Sequence, residues 1–428
     1  MSTHGTDLGG ARLRRAVVAS AIGTAVEWYD FFLYGLAAAL VFPKTFFPET
    51  DPYTGTLLSF GTYFVGFASR PIGAAIFGHV GDRIGRKASL IATLVLMGVS
   101  TMAIGIVPGY DTIGIAGALL LTLARALQGI AVGGEWGGSV LIAAEWARQG
   151  HRGFAASWPQ WGAPAGLLLA NGALFAATRA TGDSFLDWGW RAPFLASALL
   201  VAVGFWIRIG IEEPPAFARM RAEGRSVRSP VAHVLRHHGR EVILTTLVRT
   251  GQQAPFYIFS VFVLTYATGT LKMAQGDVLP LVLMTAAASM VCIPLFGHLS
   301  DRAGRRRVAA IGAALMLVWP FVYFEMLDSG ATLAVAAAII LSLPLHDLQY
   351  GPQAALIAES FPAHVRYSGS SLGYQLASVT AGGPAPIIAS WLMHEYHSAR
   401  PVAIYMAACA AVSLIALALL RPAHAGDD

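Results

Sequence analysis

Glu27 and Asp30 stand three residues apart inside a long apolar run, so a helix puts both carboxylates on one face. Two carboxylates this close in a low dielectric resist ionising together, which suits a pair that takes up and releases a proton. The same pair serves equally as a static counter-charge for a membrane arginine. Arg125 and Gln128 share a face of another apolar run, and Glu135 follows ten residues after Arg125, nearly three turns on, at what reads as a similar face. An arginine beside an acid is released when an arriving anion competes for it, which would couple substrate to proton; a purely structural ion pair is the other reading.

Three further clusters have binding chemistry. Arg249, Gln252, Gln253 and Tyr257 form a polar stripe at helical spacing, and a guanidinium grips a carboxylate through two parallel hydrogen bonds. His346, Asp347, Gln349, Tyr350 and Gln353 make a second stripe, in which His346 is of a residue type that can relay protons and can equally stay neutral and donate one hydrogen bond. Arg70 lies twelve residues before Asp82, roughly 18 Å along a helix and so deep in its run, where a structural ion pair and a substrate contact are equal readings. Tyr29, Tyr63, Trp136, Gln160, Tyr374 and Gln375 have polar tips that would shape a cavity between these groups. No metal site is expected, because one histidine and one aspartate together are too few ligands.

The elements that must position these residues are membrane helices. The chain has 428 residues, 55% hydrophobic and only 12% charged, with a mean hydropathy of +0.58. Soluble domains carry about 25% charged residues, so this chain has too little charge for a water-facing surface. The net charge of +5 does not indicate nucleic acid, because the arginines sit between apolar runs. Cys292 and Cys409 lie inside such runs, so nothing in the sequence supports a disulfide framework. Arg12, Arg14 and Arg15 precede the first run, which reaches about Val41 and contains Glu27 and Asp30; it reads as a retained helix rather than a cleaved leader.

Twelve spans are expected, at 16–42, 56–79, 88–108, 113–144, 153–178, 190–210, 241–268, 278–298, 307–327, 331–357, 367–394 and 401–420. With both termini inside, 21 of the 29 lysines and arginines fall on cytoplasmic segments, including those from Arg208 to Arg240, and only Lys44, Arg179, Arg191, Lys272 and Arg400 fall outside. The chain therefore divides into a cytoplasmic arm 1–15, a six-helix bundle 16–210, a linker 211–240, a second six-helix bundle 241–421 and a tail 422–428.

An internal repeat supports the division. Gly-x-x-x-Asp-Arg-x-Gly-Arg occurs at Gly78–Arg86 and again at Gly297–Arg305, 219 residues apart. Leu-Ile-Ala-Ala-Glu ends one span at Glu145 and Leu-Ile-Ala-Glu ends another at Glu359. Paired membrane halves are the mark of a carrier with its site between them.

These turns resemble the loop motif of the major facilitator superfamily. Arg125-Ala126-Leu127-Gln128-Gly129 resembles its fourth-helix motif. The run from Gly23 through Glu27-Trp28-Tyr29-Asp30 to Gly35, with Arg70-Pro71-Ile72-Gly73 and Trp190-Arg191-Ala192-Pro193-Phe194, is similar to the superfamily's metabolite–proton symporters, nearest its shikimate-transporter-like members. The resemblance implies an all-α integral membrane fold of two pseudo-symmetric six-helix bundles, with spans one, four, seven and ten lining a central cavity. It implies that Arg86 pairs with Glu145 and Arg305 with Glu359, and that these pairs, with Asp82 and Asp301, gate the cytoplasmic side. Osmosensing members often carry a C-terminal coiled coil; the sequence ends at Asp428, so a different role is expected.

The function expected is import of a small organic acid with protons across a bacterial-type inner membrane, by a functional monomer needing no cofactor. The acid is a shikimate-like hydroxy acid or a small mono- or dicarboxylate, with betaines behind them. A uniporter or exchanger is the rival within transport. An enzyme would need a nucleophile, metal set or cofactor loop that the sequence does not display.

Overall fold

The computed structural model describes residues 4–148, 150–209 and 230–420. The expected linker falls outside that description up to residue 229, as do Arg421 and the tail 422–428. Among the described residues, twelve helical spans follow one another. They are α1 (His4–Leu40), α2 (Pro52–Ala68 and Arg70–Arg83), α3 (Arg86–Ile106), α4 (Ile115–Trp146), α5 (Arg152–Thr181) and α6 (Arg191–Ile209). Then come α7 (Gly239–Tyr257, Ile258–Phe262 and Val263–Gly269), α8 (Gln275–Ala303), α9 (Arg305–Leu315 and Trp319–Asp328), α10 (Thr332–Ala358), α11 (Arg366–Ala377, Ser378–Gly382 and Ala385–Tyr396) and α12 (Arg400–Leu419). Each covers one of the expected spans. A short helix, Pro230–His237, leads into α7.

Eight of these spans are long and apolar enough to cross a membrane on length and composition alone. The other four are α1, α2, α5 and α7. They fall short because they carry inward-facing polar groups: Glu27 and Asp30, Arg70, Gln160 and Asn171, and Arg249 with Gln252 and Gln253 are all buried. The outer surface is the reverse. Trp206 is 78% exposed and Leu333 83% exposed, and a surface of large exposed apolar side chains is stable only against lipid.

Breaks in the helices have local causes. The restart of α2 at Arg70 follows Ser69, with Pro71 in the first turn, where a missing N–H is no loss. A π-turn, Ile258–Phe262, follows Pro255 in α7, and another, Ser378–Gly382, precedes Pro384 in α11. A ring that clashes with the preceding turn and cannot donate favours such widening.

Within the first half, α1 packs on α5 and α3 on α4; within the second, α8 packs on α10 and α7 on α12. The halves meet where α2 lies on α11 and α5 on α8. Both crossings use the glycine that opens the repeated motif. A Cβ on Gly78 would stand 3.0 Å from the Ser368 Cα, and one on Gly297 would stand 2.5 Å from the Ser157 hydroxyl. Close approach brings each motif aspartate to the start of a helix in the other half. Asp82 accepts from the Ser368 backbone N–H at 2.9 Å and its hydroxyl at 2.7 Å, capping α11. Asp301 accepts from the backbone N–H groups of Gly153 at 2.8 Å and Phe154 at 2.9 Å, capping α5. An anion at a helix N-terminus satisfies orphan donors and meets the positive end of the helix dipole.

Gly297→Val should therefore force the α5–α8 crossing apart. Overpacking of this kind costs about 1–3 kcal/mol, so the melting temperature of the purified protein should fall by several degrees. Gly276→Val, where nothing lies within 4 Å of an added Cβ, should leave it unchanged. Equal melting temperatures for the two variants would show that the crossing does not depend on the glycine.

Candidate functional site

The polar groups of the first half form a chain across three helices. The Arg125 guanidinium donates to the Gln128 Oε1. Gln128 Nε2 donates to Thr101 Oγ1 at 2.7 Å, and Thr101 donates to Asp30 Oδ2 at 2.8 Å. Asp30 is fully buried. Arg125 thus reaches Asp30 through Gln128 and Thr101 rather than by direct contact. Its guanidinium lies among rings, 4.7 Å from Phe31, 4.4 Å from Tyr34 and 4.8 Å from Tyr63. Phe31 also carries Arg70 on its ring at 4.5 Å, and Phe67 carries Arg70 at 4.6 Å. Cation–π contact offsets part of the cost of burying a guanidinium away from water.

Glu135 does not share the Arg125 face. Ten residues make 2.8 turns of an α-helix, so the two side chains diverge by about 80°. Glu135 instead forms a buried ion pair with Arg208 of α6, which also donates to the Leu90 carbonyl at 2.8 Å. Arg208, counted in the sequence with the linker cations, is thus an interior residue. Glu27 lies within electrostatic range of Arg70, Arg208 and Arg249. Tyr29 points away from this centre and donates to the Pro193 carbonyl at 2.8 Å, one helical step of 100° from Asp30.

The second half supplies Arg249, which donates weakly to Gln353 Oε1 at 3.4 Å and stacks on Tyr374. Tyr374 in turn stacks on Trp136 with ring centroids 3.5 Å apart. Trp136 donates to Gln160 Oε1 at 2.9 Å, Gln160 donates to the Tyr350 carbonyl at 3.2 Å, and Gln375 lies 3.4 Å from the Val132 and Gly133 carbonyls. Polar and aromatic contacts thus join the halves at mid-depth. His346 Nδ1 lies 3.0 Å from Asp347 Oδ1, whose other oxygen accepts from Ser289 at 2.6 Å. His346 Nε2 lies 2.9 Å from the Gln252 side-chain nitrogen and 3.2 Å from the Gln252 carbonyl. One neighbour requires an acceptor and the other a donor, so this nitrogen has a partner in either protonation state. Asp347, expected to meet substrate, is turned to Ser289 of α8. Gln349 donates to the Gly251 carbonyl at 3.1 Å, an interhelical packing bond.

Several of these buried groups have atoms with no hydrogen-bond partner among the described residues: Glu27 Oε2, Asp30 Oδ1, the Tyr63 and Tyr257 hydroxyls, and the Nε atoms of Arg70, Arg125 and Arg249. Such atoms are costly unless something polar completes them, and here they converge on the interface between the halves.

A cleft of about 530 Å³ between α2, α7 and α11 meets this set of residues at Tyr63. Leu57, Phe60 and Tyr63 of α2 face Phe262 and Thr265 of α7 and Pro386 and Trp391 of α11 across it, beside the two π-turns. The opposite end is shut by the crossed aspartate caps. There Arg86 pairs with Glu145, and Arg305 with Glu359 at 2.8 Å and with Asp301 at 3.1 Å. Both expected pairs are present as contacts, but each lies inside one half, between its third and fourth spans; the aspartates do the bridging. Burial raises the Glu359 pKa against the pull of Arg305, Arg152 and Arg366, so Arg152 of the first half also reaches it. Thr101, Phe31, Phe67, Arg208 and Ser289 escaped the sequence reading. Only Arg208, a cation at the end of an apolar run, carried a usable signal.

The Major Facilitator Superfamily family matches residues 20–386. The chain is 42% identical over 411 residues to the "Inner membrane metabolite transport protein YhjE" of Escherichia coli K12, covering 95% of this chain and 93% of that protein. It is 40% identical over 419 residues to the "Shikimate transporter" of the same organism, covering 96% and 95%. Its fold is similar to the structure of the proton:xylose symporter XylE bound to 6-bromo-6-deoxy-D-glucose, with a TM-score of 0.77, 18% identity and 97% of each chain covered.

The Glu135–Arg208 pair generates a stability test. Removing one partner of a buried pair costs about 3–5 kcal/mol, whereas replacing both by apolar residues is often neutral. Arg208→Met should sharply lower the melting temperature, and adding Glu135→Leu should restore most of it. A double variant no more stable than the single one would separate the two residues.

Proposed function

The chain belongs to the major facilitator superfamily, and on that premise we propose that it is a proton-coupled symporter that imports a small organic acid by alternating access. It is a multi-pass membrane transporter, not an enzyme. The observation that carries the finer reading is the charge arrangement between the halves. Arg70, Arg125 and Arg249 are buried, and none forms an ion pair within 4.0 Å with an acid among the described residues. Buried cations of this kind call for an anion.

On this reading the carboxylate enters along the cleft past Tyr63 and is gripped by Arg249, with Arg70 adding charge from the other half. Gln252, Gln253, Gln353, Tyr257 and Tyr374 read the hydroxyls of the acid. Asp30, at the end of its relay to Arg125, carries the proton, with Glu27 and the His346–Asp347 pair as further stations. Anion binding draws Arg125 and Arg249 toward the substrate, and protonation of the acids removes charge that would otherwise remain unpaired. The crossed caps then break, and the end carrying Asp82 and Asp301 opens. Relatives named for shikimate and for metabolite transport favour a hydroxylated carboxylic acid. Lysine and arginine placement supports both termini, residues 1–15 and the linker 211–240 on the cytoplasmic side of a bacterial inner membrane, with bundles 16–210 and 241–421 working as a monomer. The proton gradient supplies the energy, without a cofactor.

Proteoliposomes with an imposed pH gradient test this. Wild-type protein should accumulate a hydroxylated acid above equilibrium and ignore its neutral methyl ester. Asp30→Asn should abolish accumulation while keeping exchange, and Arg249→Lys should weaken uptake of the acid because lysine cannot make the planar two-point grip. Equal transport of acid and ester would refute a carboxylate substrate, and undiminished accumulation by Asp30→Asn would remove that residue from the proton path.

A further inference from the structure

Three histidines from separate stretches of chain meet beside the closed end. His233 lies on the short helix Pro230–His237, His238 follows at its end, and His364 lies in the 3₁₀ turn Ala363–Val365 that leads into α11. The His233 ring centroid lies 5.9 Å from that of His238 and 5.6 Å from that of His364. One ring nitrogen from each of the three falls within 4.8 Å of the other two. Tetrahedral zinc bound by imidazoles holds its ligand nitrogens about 3.4 Å apart, so small side-chain rotations close the set. The backbone beneath is fixed: Val234 and Val365 are buried in one apolar cluster with Phe361 and Tyr367.

The chemistry of the cluster also favours a cation. Three imidazoles this close repel one another when protonated, and neutral imidazole offers a lone pair to a metal of intermediate softness. His237 stacks on His233 at 4.3 Å, and its Nδ1 lies 3.1 Å from the His233 carbonyl, which orients it as a supporting group rather than a ligand.

We propose that His233, His238 and His364 form a three-histidine site for a first-row transition-metal ion, with zinc the best fit and water in the fourth position. The sequence offered no spacing signal for it, because His364 stands 126 residues after His238. A bound ion would tie the segment entering α7 to the turn that opens α11, the helix capped by Asp82. The helix Pro230–His237 also packs against Arg70–Arg83 of α2, so the ion would stiffen the seam between the halves and slow the opening of that end. This makes the site regulatory and separate from the substrate centre.

The test uses full-length protein in detergent, purified without a polyhistidine tag and titrated with zinc chloride against a chromophoric chelator near neutral pH. One zinc per chain is expected. Loss of a second-shell partner already weakens metal sites by about 10–100-fold, so His233→Gln and His364→Gln should each weaken zinc by roughly tenfold or more. His151→Gln, at an exposed histidine outside the cluster, should leave it unchanged. Cobalt(II) added to the wild-type protein should give the intense visible bands of a four-coordinate site, a readout independent of how the variants fold. Failure of zinc to compete with the chelator, equal affinity in all three variants, or only the weak bands of six-coordinate cobalt would overturn the site.

Discussion

Two aspartates hold the halves of this molecule together at one end, each by capping a helix that belongs to the other half. Asp82 of α2 serves α11, and Asp301 of α8 serves α5. The arrangement demands close helix crossings, which is why a glycine opens each copy of the motif. It also demands a sharp turn after each capped crossing, and Gly85 and Gly304 supply it with φ of 145° and 94°, values that side-chain-bearing residues rarely adopt. The ion pairs Arg86–Glu145 and Arg305–Glu359 then hold the third span of each half to its fourth. The motif is thus one mechanical unit used twice. Its glycines set distance and direction, its aspartate bridges the halves, and its last arginine braces the half from within.

The polar interior follows from the same two-fold plan. A bilayer accepts charged groups only where protein or trapped polar groups solvate them. The chain therefore buries them on α1, α2, α4, α6, α7 and α10. There they are only partly reconciled with one another. Glu135 and Arg208 satisfy each other inside the first half, a structural device. Arg70, Arg125 and Arg249 rest on aromatic faces, which blunts the cost of burial without neutralising the charge. On the proposed reading, an interior left in this state would respond to an anion and to protons that enter along the cleft beside the π-turns of α7 and α11.

The membrane spans were legible because length and apolarity are properties of contiguous sequence. Even the four least apolar spans could be read, since Glu27 with Asp30 and Arg249 with Gln252 mark one face at helical spacing. Pairing between helices was legible only where resemblance supplied it, as for Arg86 with Glu145 and Arg305 with Glu359, and the sequence did not reveal that these pairs stay within a half. Where spacing alone was used it misled: ten residues put Glu135 about 80° away from Arg125, toward Arg208. Thr101, Ser289 and Phe31 escaped because a hydroxyl or a ring in an apolar run has no distinguishing pattern. The histidine cluster escaped because its members are brought together only by the fold.

The most direct test is a reversible cross-link at the closed end. A Cβ on Gly78 would lie 3.5 Å from the Ser368 Cβ, within the range of a disulfide. Gly78→Cys with Ser368→Cys, in a chain whose Cys292 and Cys409 are replaced, should be oxidised in membranes. If this end must open in every cycle, uptake should stop on oxidation and return on reduction, while ligand binding from the cleft side persists. Full uptake by completely cross-linked protein would contradict alternating access through this seam.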